Sequence, residues 1–158
     1  LFKESEFTAR SICLGRAFLW VEFMDLISQL KVHEGFRSQM YKCTKDKWTI
    51  GYGFNLESGI TKEEAALLLQ CRVKRISHQL SNELPYFALP NEQRQAVLVN
   101  MAFNLGVTGL MNFKKTLSYV EAGDYEQAAI EMMDSRWAKQ VPNRAQELSN
   151  QMYTGMWH

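Results

Sequence analysis

Between Glu34 and Asn55 the chain reads EGFRSQMYKCTKDKWTIGYGFN, and no other stretch restricts the fold so tightly. Ahead of it, Phe23, Leu26, Ile27 and Leu30 recur at helical spacing, with Asp25 near the start where the helix dipole favours a carboxylate. The spacing predicts a helix over 23–33 that carries Glu34 on its last turn, broken by Gly35. Two short alternating segments follow, Met40-Tyr41 and Trp48-Thr49-Ile50, separated by the polar turn Thr44-Lys45-Asp46-Lys47. Gly51 and Gly53 stand where a backbone must turn tightly or let another group come close. The expectation is a small antiparallel sheet from Ser38 to about Glu57 with one carboxylate at its mouth. That carboxylate precedes Cys43 by nine residues and Thr49 by fifteen. A lone Glu at a helix end is ordinarily a solvated charge, so only the combination gives Glu34 chemical weight.

Downstream the signals are helical. Thr61-Lys62-Glu63-Glu64 has the form of a capping box, in which the Thr oxygen caps the helix and Glu64 reaches back. The helix behind it is expected to run to about Leu80, with Leu67, Leu68, Cys71 and Ile76 among its apolar positions. Cys71 then reads as a small buried apolar residue rather than a reactive thiol. Leu84-Pro85 and Leu89-Pro90 punctuate the next connection, and Asn91 can cap a helix over Glu92 to Leu105 that stops at Gly106. A short helix is expected over 112–120, ending near Gly123. Asp124 opens another through Met133, and Pro142 opens the last. The fold class is α+β and mostly helical, with one small sheet.

Size and charge narrow the function classes. A chain of 158 residues with 46% hydrophobic content can bury one sizeable core. A net charge of +1 gives no electrostatic case for nucleic acid, and it does not oppose approach to an anionic bacterial envelope. Cys13, Cys43 and Cys71 are odd in number and lack metal-ligand spacing, which argues against both a disulfide framework and a metal centre. No cofactor is implied. No run of eighteen apolar residues is present, so no membrane anchor is expected. Ala17 to Val21 is too short for a signal-peptide core and is flanked by Arg16 and Glu22. Residues 1–22 form an N-terminal extension without an assigned role.

EGFRSQMYKCTKDKWTIGYG resembles the catalytic signature of phage-type lysozymes, glycoside hydrolase family 24: Glu, eight residues, Asp or Cys, five residues, Thr, then Ile-Gly-x-Gly. Glu34, Cys43 and Thr49 fall on its three positions. A second block, Asn100 to Gly106 through Ser135-Arg136-Trp137 and Pro142-Asn143-Arg144-Ala145, is similar to the C-terminal lobe of T-even phage lysozymes. The resemblance covers 23–158 and implies a two-lobe lysozyme-like fold. It places a small lobe at about 23–60, a connecting helix at about 61–80 and a helical lobe at about 81–158.

The resemblance implies an endolysin that hydrolyses the β-1,4 bond between N-acetylmuramic acid and N-acetylglucosamine in peptidoglycan. Such a protein is expected to be a monomer, made in the host cytoplasm and acting in the periplasm, reaching its substrate with the help of a holin. A tail or baseplate lysozyme aiding DNA entry is the second reading, and a non-catalytic wall-binding module the third. Cleaving a glycosidic bond needs an acid for the leaving oxygen, worth on the order of 10²–10⁴ in rate, and Glu34 is that candidate. Thr49 is expected to hydrogen-bond the attacking water. Cys43 stands where T-even lysozymes have Asp, and three roles are open to it, base, nucleophile or holder of the water, beside a packing role without catalytic effect. The ammonium groups of Lys42, Lys45 and Lys47 are candidates for lowering its pKa. By the same alignment Asn55, Phe103, Thr116 and Glu131 are substrate-binding candidates, with Glu131 in place of an Asn. His33 reads as a surface residue.

Overall fold

The computed structural model describes residues 25–158, and the expectations for residues 1–22 and Cys13 lie outside them. The chain divides into two compact units with the boundary between Thr61 and Lys62.

In the first unit a helix, α1, runs over 25–34 and ends on Glu34. Its last turn closes through the Gly35 amide, which donates to the Lys31 carbonyl at 3.1 Å. Three antiparallel strands follow in sequence order: β1 (Arg37–Lys42), β2 (Trp48–Gly51) and β3 (Phe54–Asn55). Tyr41 pairs with Thr49 and Thr49 with Asn55, so these three side chains share one face of the sheet. Lys42 pairs with Trp48 on the opposite face, its ammonium 4.9 Å from the indole centroid. Within β1 the register shifts between Arg37 and Tyr41. The β1–β2 turn closes through the Cys43 amide to the Lys47 carbonyl at 3.0 Å and the Asp46 amide to the Cys43 carbonyl at 2.9 Å. Asp46 sits at φ 57, a left-handed conformation that a short polar side chain tolerates better than most. A single 3₁₀ turn, Leu56–Ser58, ends the sheet, capped by the Asn55 side chain, which accepts from the Glu57 amide.

The second unit is helical: α2 (Lys62–Glu83), α3 (Glu92–Leu105), α4 (Val107–Met111), α5 (Lys114–Ala122), α6 (Tyr125–Met133), α7 (Arg136–Gln140) and α8 (Pro142–Thr154). Asn91 and Asp124 cap α3 and α6 as their spacing predicts, accepting from the amides of Arg94 and Gln127. The core gathers Leu80, Val97, Leu98, Met101, Leu110 and Met152, all fully buried. It lies where α3 packs on α2, α4 and α8, and where α6 lies between α5 and α8.

Four details differ from the sequence reading. Helix α2 runs three residues past Leu80 and stops just before Leu84-Pro85, where the residue before proline is pushed out of helical geometry. Cys71 is exposed, not buried, because only Ile76 and Leu80, one turn apart on the later half of α2, are buried. Leu67 and Leu68 are exposed with it. The two five-residue helices α4 and α7 were not expected, since single turns are too short to show periodicity. Burial of Leu110 and of Trp137 with Ala138 holds them.

Candidate active site

Helix α1 delivers Glu34 to the sheet. Tyr52, in the tight turn between β2 and β3, is held from both sides of the helix end: the Lys31 ammonium lies 5.9 Å from its ring centroid and the Phe36 ring 5.3 Å away. The next residue, Gly53, lies against the Glu34 side chain. A β-carbon built at Gly53 would stand 2.5 Å from Glu34 Oε2 and 3.1 Å from its Cδ. The carboxyl therefore rests on bare backbone.

Thr49 and Cys43 meet at the other end of the β1–β2 hairpin. Thr49 is buried, 4% exposed, although its strand neighbours are not. Its hydroxyl donates to the Lys47 carbonyl at 3.0 Å. Cys43 titrates below the usual thiol range. The Lys47 amide contributes most, then the Lys45 amide; burial opposes them, and the Thr49 hydroxyl and the residue's own amide add smaller lowering effects. Amide N–H groups aimed at sulfur favour the thiolate by hydrogen bonding. Two of the three expected lysine ammoniums act elsewhere. Lys42 Nζ pairs with Asp46 at 3.2 Å and Lys47 Nζ with Glu57 at 2.6 Å. The turn thus lowers the thiol through its backbone, which no reading of side-chain charges could show.

Asn55 lies beside Thr49 in the sheet, with its side-chain oxygen committed to the Glu57 amide. Glu34, Cys43, Thr49 and Asn55 all belong to the first unit, and Phe103, Thr116 and Glu131 to the second. There Phe103 is half exposed on a depression of about 440 Å³, with Leu69, Val73, Val99 and Arg144. Thr116 and Glu131 share a separate one of about 420 Å³, with Lys115, Arg136 and Trp137. Lys115 Nζ reaches Glu131 Oε1 at 3.4 Å across α5 and α6. The buried Trp137 donates its indole N–H to Asn104 Oδ1 at 2.8 Å. Among the described residues no three His, Cys, Asp or Glu side chains gather into a metal-holding group.

The family model for phage lysozyme matches residues 31–152, which takes in the helix end, the sheet and nearly all of the helical unit. The chain belongs to the phage lysozyme family. Membership makes it a glycoside hydrolase, and its mostly helical α+β build with a small antiparallel sheet agrees. The protein named Probable T4-type lysozyme 2 of Dictyostelium discoideum is 26% identical, over 82% of this chain and 94% of its own length. An endolysin of Acyrthosiphon pisum secondary endosymbiont phage 1 is 29% identical, over 72% of this chain and 77% of its own. The pre-baseplate central spike protein Gp5 of Enterobacteria phage T4 is 27% identical over 84% of this chain, which spans 28% of that protein.

Two partners in this phage lysozyme escaped the sequence. Lys115 stands next to a candidate already named, yet its pairing with Glu131 bridges sixteen residues and two helices. Gly53 is visible in the Ile-Gly-x-Gly motif, but a motif does not say which side chain fills the space a glycine leaves.

Proposed function

We propose that this phage lysozyme is a peptidoglycan muramidase that hydrolyses the β-1,4 bond between N-acetylmuramic acid and N-acetylglucosamine, acting as an endolysin on the host wall. One observation carries the reading: a single unit holds a helix-end carboxyl on bare backbone and, in the adjoining hairpin, a thiol whose pKa is lowered and a buried hydroxyl.

In this reading Glu34 protonates the departing glycosidic oxygen, because an alkoxide is a poor leaving group. Thr49 orients the attacking water through its hydroxyl oxygen, whose proton is engaged by the Lys47 carbonyl. Cys43, favoured as a thiolate by the turn amides, supplies the negative charge that its family position calls for and takes the water's proton. The product anomer discriminates the routes. Attack by water inverts the configuration, whereas direct attack by Cys43 Sγ on the sugar gives a thioglycosyl intermediate and net retention. Asn55, Phe103, Thr116 and Glu131 are proposed contacts for the glycan and its peptides. The enzyme is made in the bacterial cytoplasm, acts as a monomer in the periplasm and reaches peptidoglycan through holin-made openings.

The test is clearance of purified peptidoglycan by the wild type and by Glu34→Gln, Cys43→Ala and Cys43→Asp, with mass spectrometry of the products. Loss in Glu34→Gln, retention in Cys43→Asp and reducing N-acetylmuramic ends support the reading. Full activity in Glu34→Gln overturns the acid assignment, and 1,6-anhydro ends point to a transglycosylase instead. The 84% overlap with a phage spike protein favours one second reading, a tail-borne lysozyme of the same chemistry. Immunodetection of the chain in purified virions decides between the two.

A further inference from the structure

We propose that Gly53 is a positioning residue for the acid: the missing side chain at this position is the space in which the Glu34 carboxyl is held. Among the described glycines with positive φ in the first unit, only Gly53 has the acid's carboxyl where its own β-carbon would be. Oε2 lies 2.5 Å from that point, Cδ 3.1 Å and Cγ 3.6 Å. Real β-carbons do not come within 3.0 Å of such atoms, so any L side chain at 53 displaces the carboxyl or the turn. The atoms in the way belong to the end of an exposed, flexible side chain, which yields more cheaply than backbone. The carboxyl must therefore move. A shift of about 1 Å in a catalytic group is enough to cost about 10² in rate.

Strain and contact can be separated within this unit. Gly59 has nearly the same φ, +72 against +76, and nothing lies within 4 Å of its hypothetical β-carbon. Alanine at 59 meets a positive-φ backbone penalty of its own with no contact to the acid. Shortening the acid is the complementary change, since Glu34→Asp withdraws the carboxyl by about one bond length and leaves room for a methyl group at 53.

The proposal rests on Glu34 being the acid, and Glu34→Gln reports on that separately: full activity there fails the functional reading, whatever Gly53 does. With that control in place, kcat and KM are measured for Gly53→Ala, Gly59→Ala, Glu34→Asp and Gly53→Ala/Glu34→Asp. Gly53→Ala is expected to lower kcat by about 10²-fold or more and to leave KM within about twofold. Gly59→Ala is expected to keep kcat within about threefold, and Gly53→Ala to cost less than about tenfold in the Glu34→Asp background. A Gly53→Ala variant with near-normal kcat overturns the proposal, as does an equal loss in Gly59→Ala or an equal cost in both Glu34 backgrounds. If Gly53→Ala does not fold, Gly53→Asn takes its place, because Asn tolerates positive φ better and still sets a β-carbon against the carboxyl; the same kcat loss is expected, and a near-normal kcat overturns the proposal.

Discussion

The Thr49 hydroxyl donates to the Lys47 carbonyl at 3.0 Å and is the side chain that acts to lower the pKa of the Cys43 thiol. A hydroxyl has one proton. While Cys43 is a thiol, its S–H can donate to the Thr49 oxygen and the Lys47 bond stands. Once Cys43 is a thiolate, the Thr49 proton is drawn between carbonyl and sulfur.

That sharing predicts unequal effects at Thr49. Thr49→Ser keeps the hydroxyl and is expected to retain activity within about tenfold, the loss coming from freer rotation at χ1. Thr49→Val keeps the shape, removes the oxygen, and is expected to lower kcat by about 10²-fold or more. The same variant should raise the pH at which Cys43 becomes reactive. Kinetics on defined muropeptides and alkylation against pH measure both; equal activities for the two variants would remove Thr49 from the mechanism.

Cys43 itself should titrate early. In a Cys13→Ser/Cys71→Ser background, iodoacetamide should label it with a midpoint below the ~8.5 of a free thiol. The sign for stability follows from the lowered folded-state pKa. The thiolate's contribution is fully present above the unfolded pKa and is lost as pH falls through the lowered folded value. Thermal unfolding across that interval should show this slope, and Cys43→Ala should flatten it. A labelling midpoint at or above that of a free thiol contradicts the hydrogen-bonded turn.

Arg94 ties the last helix to the rest of the second unit. Its Nε donates to the Met152 carbonyl at 2.7 Å and a second guanidinium nitrogen to the Tyr153 carbonyl at 2.9 Å, while the group stacks 3.9 Å from the Tyr125 ring centroid. Arg94→Ala removes two charge-assisted bonds and a cation–π contact. It is expected to destabilise by about 2–3 kcal/mol, or roughly 4–12 °C in Tm. Arg94→Lys should recover only part, since an ammonium cannot reproduce the planar fork. Calorimetry of the three proteins decides.

The Lys115–Glu131 pair should matter to substrate more than to stability. Lys115 is 77% exposed and its partner 24%, so breaking the pair is expected to cost no more than about 1 kcal/mol. Glu131→Asn removes a carboxylate from the depression shared with Thr116 and Arg136. The expected result is an unchanged Tm with a KM altered at least severalfold on peptide-bearing glycans and little altered on glycans stripped of peptide. Equal effects on the two substrates would place Glu131 outside peptide contact.

How much of this was legible in the sequence varies with the range of the interactions involved. Glu34 at a helix end, the short paired strands, the caps at Asn91 and Asp124 and the start at Pro142 follow from periodicity and from terminal residues, which act within one turn or one hairpin. Spacing and the Ile-Gly-x-Gly ending were enough to connect Glu34, Cys43 and Thr49 to a family. Tertiary structure decided the rest. It left Cys71 exposed because burial on α2 depends on what packs against each turn, not on the helix's own apolar positions. It formed α4 and α7 because a core accepted Leu110 and Trp137. It drew the Lys42 and Lys47 ammoniums to Asp46 and Glu57 and left backbone amides to lower the pKa of the Cys43 thiol, since the direction of an N–H in a turn is set by φ and ψ and not by residue type. It also gave Gly53 its meaning. The sequence shows a glycine, and only the folded chain shows the carboxyl resting where its side chain would be.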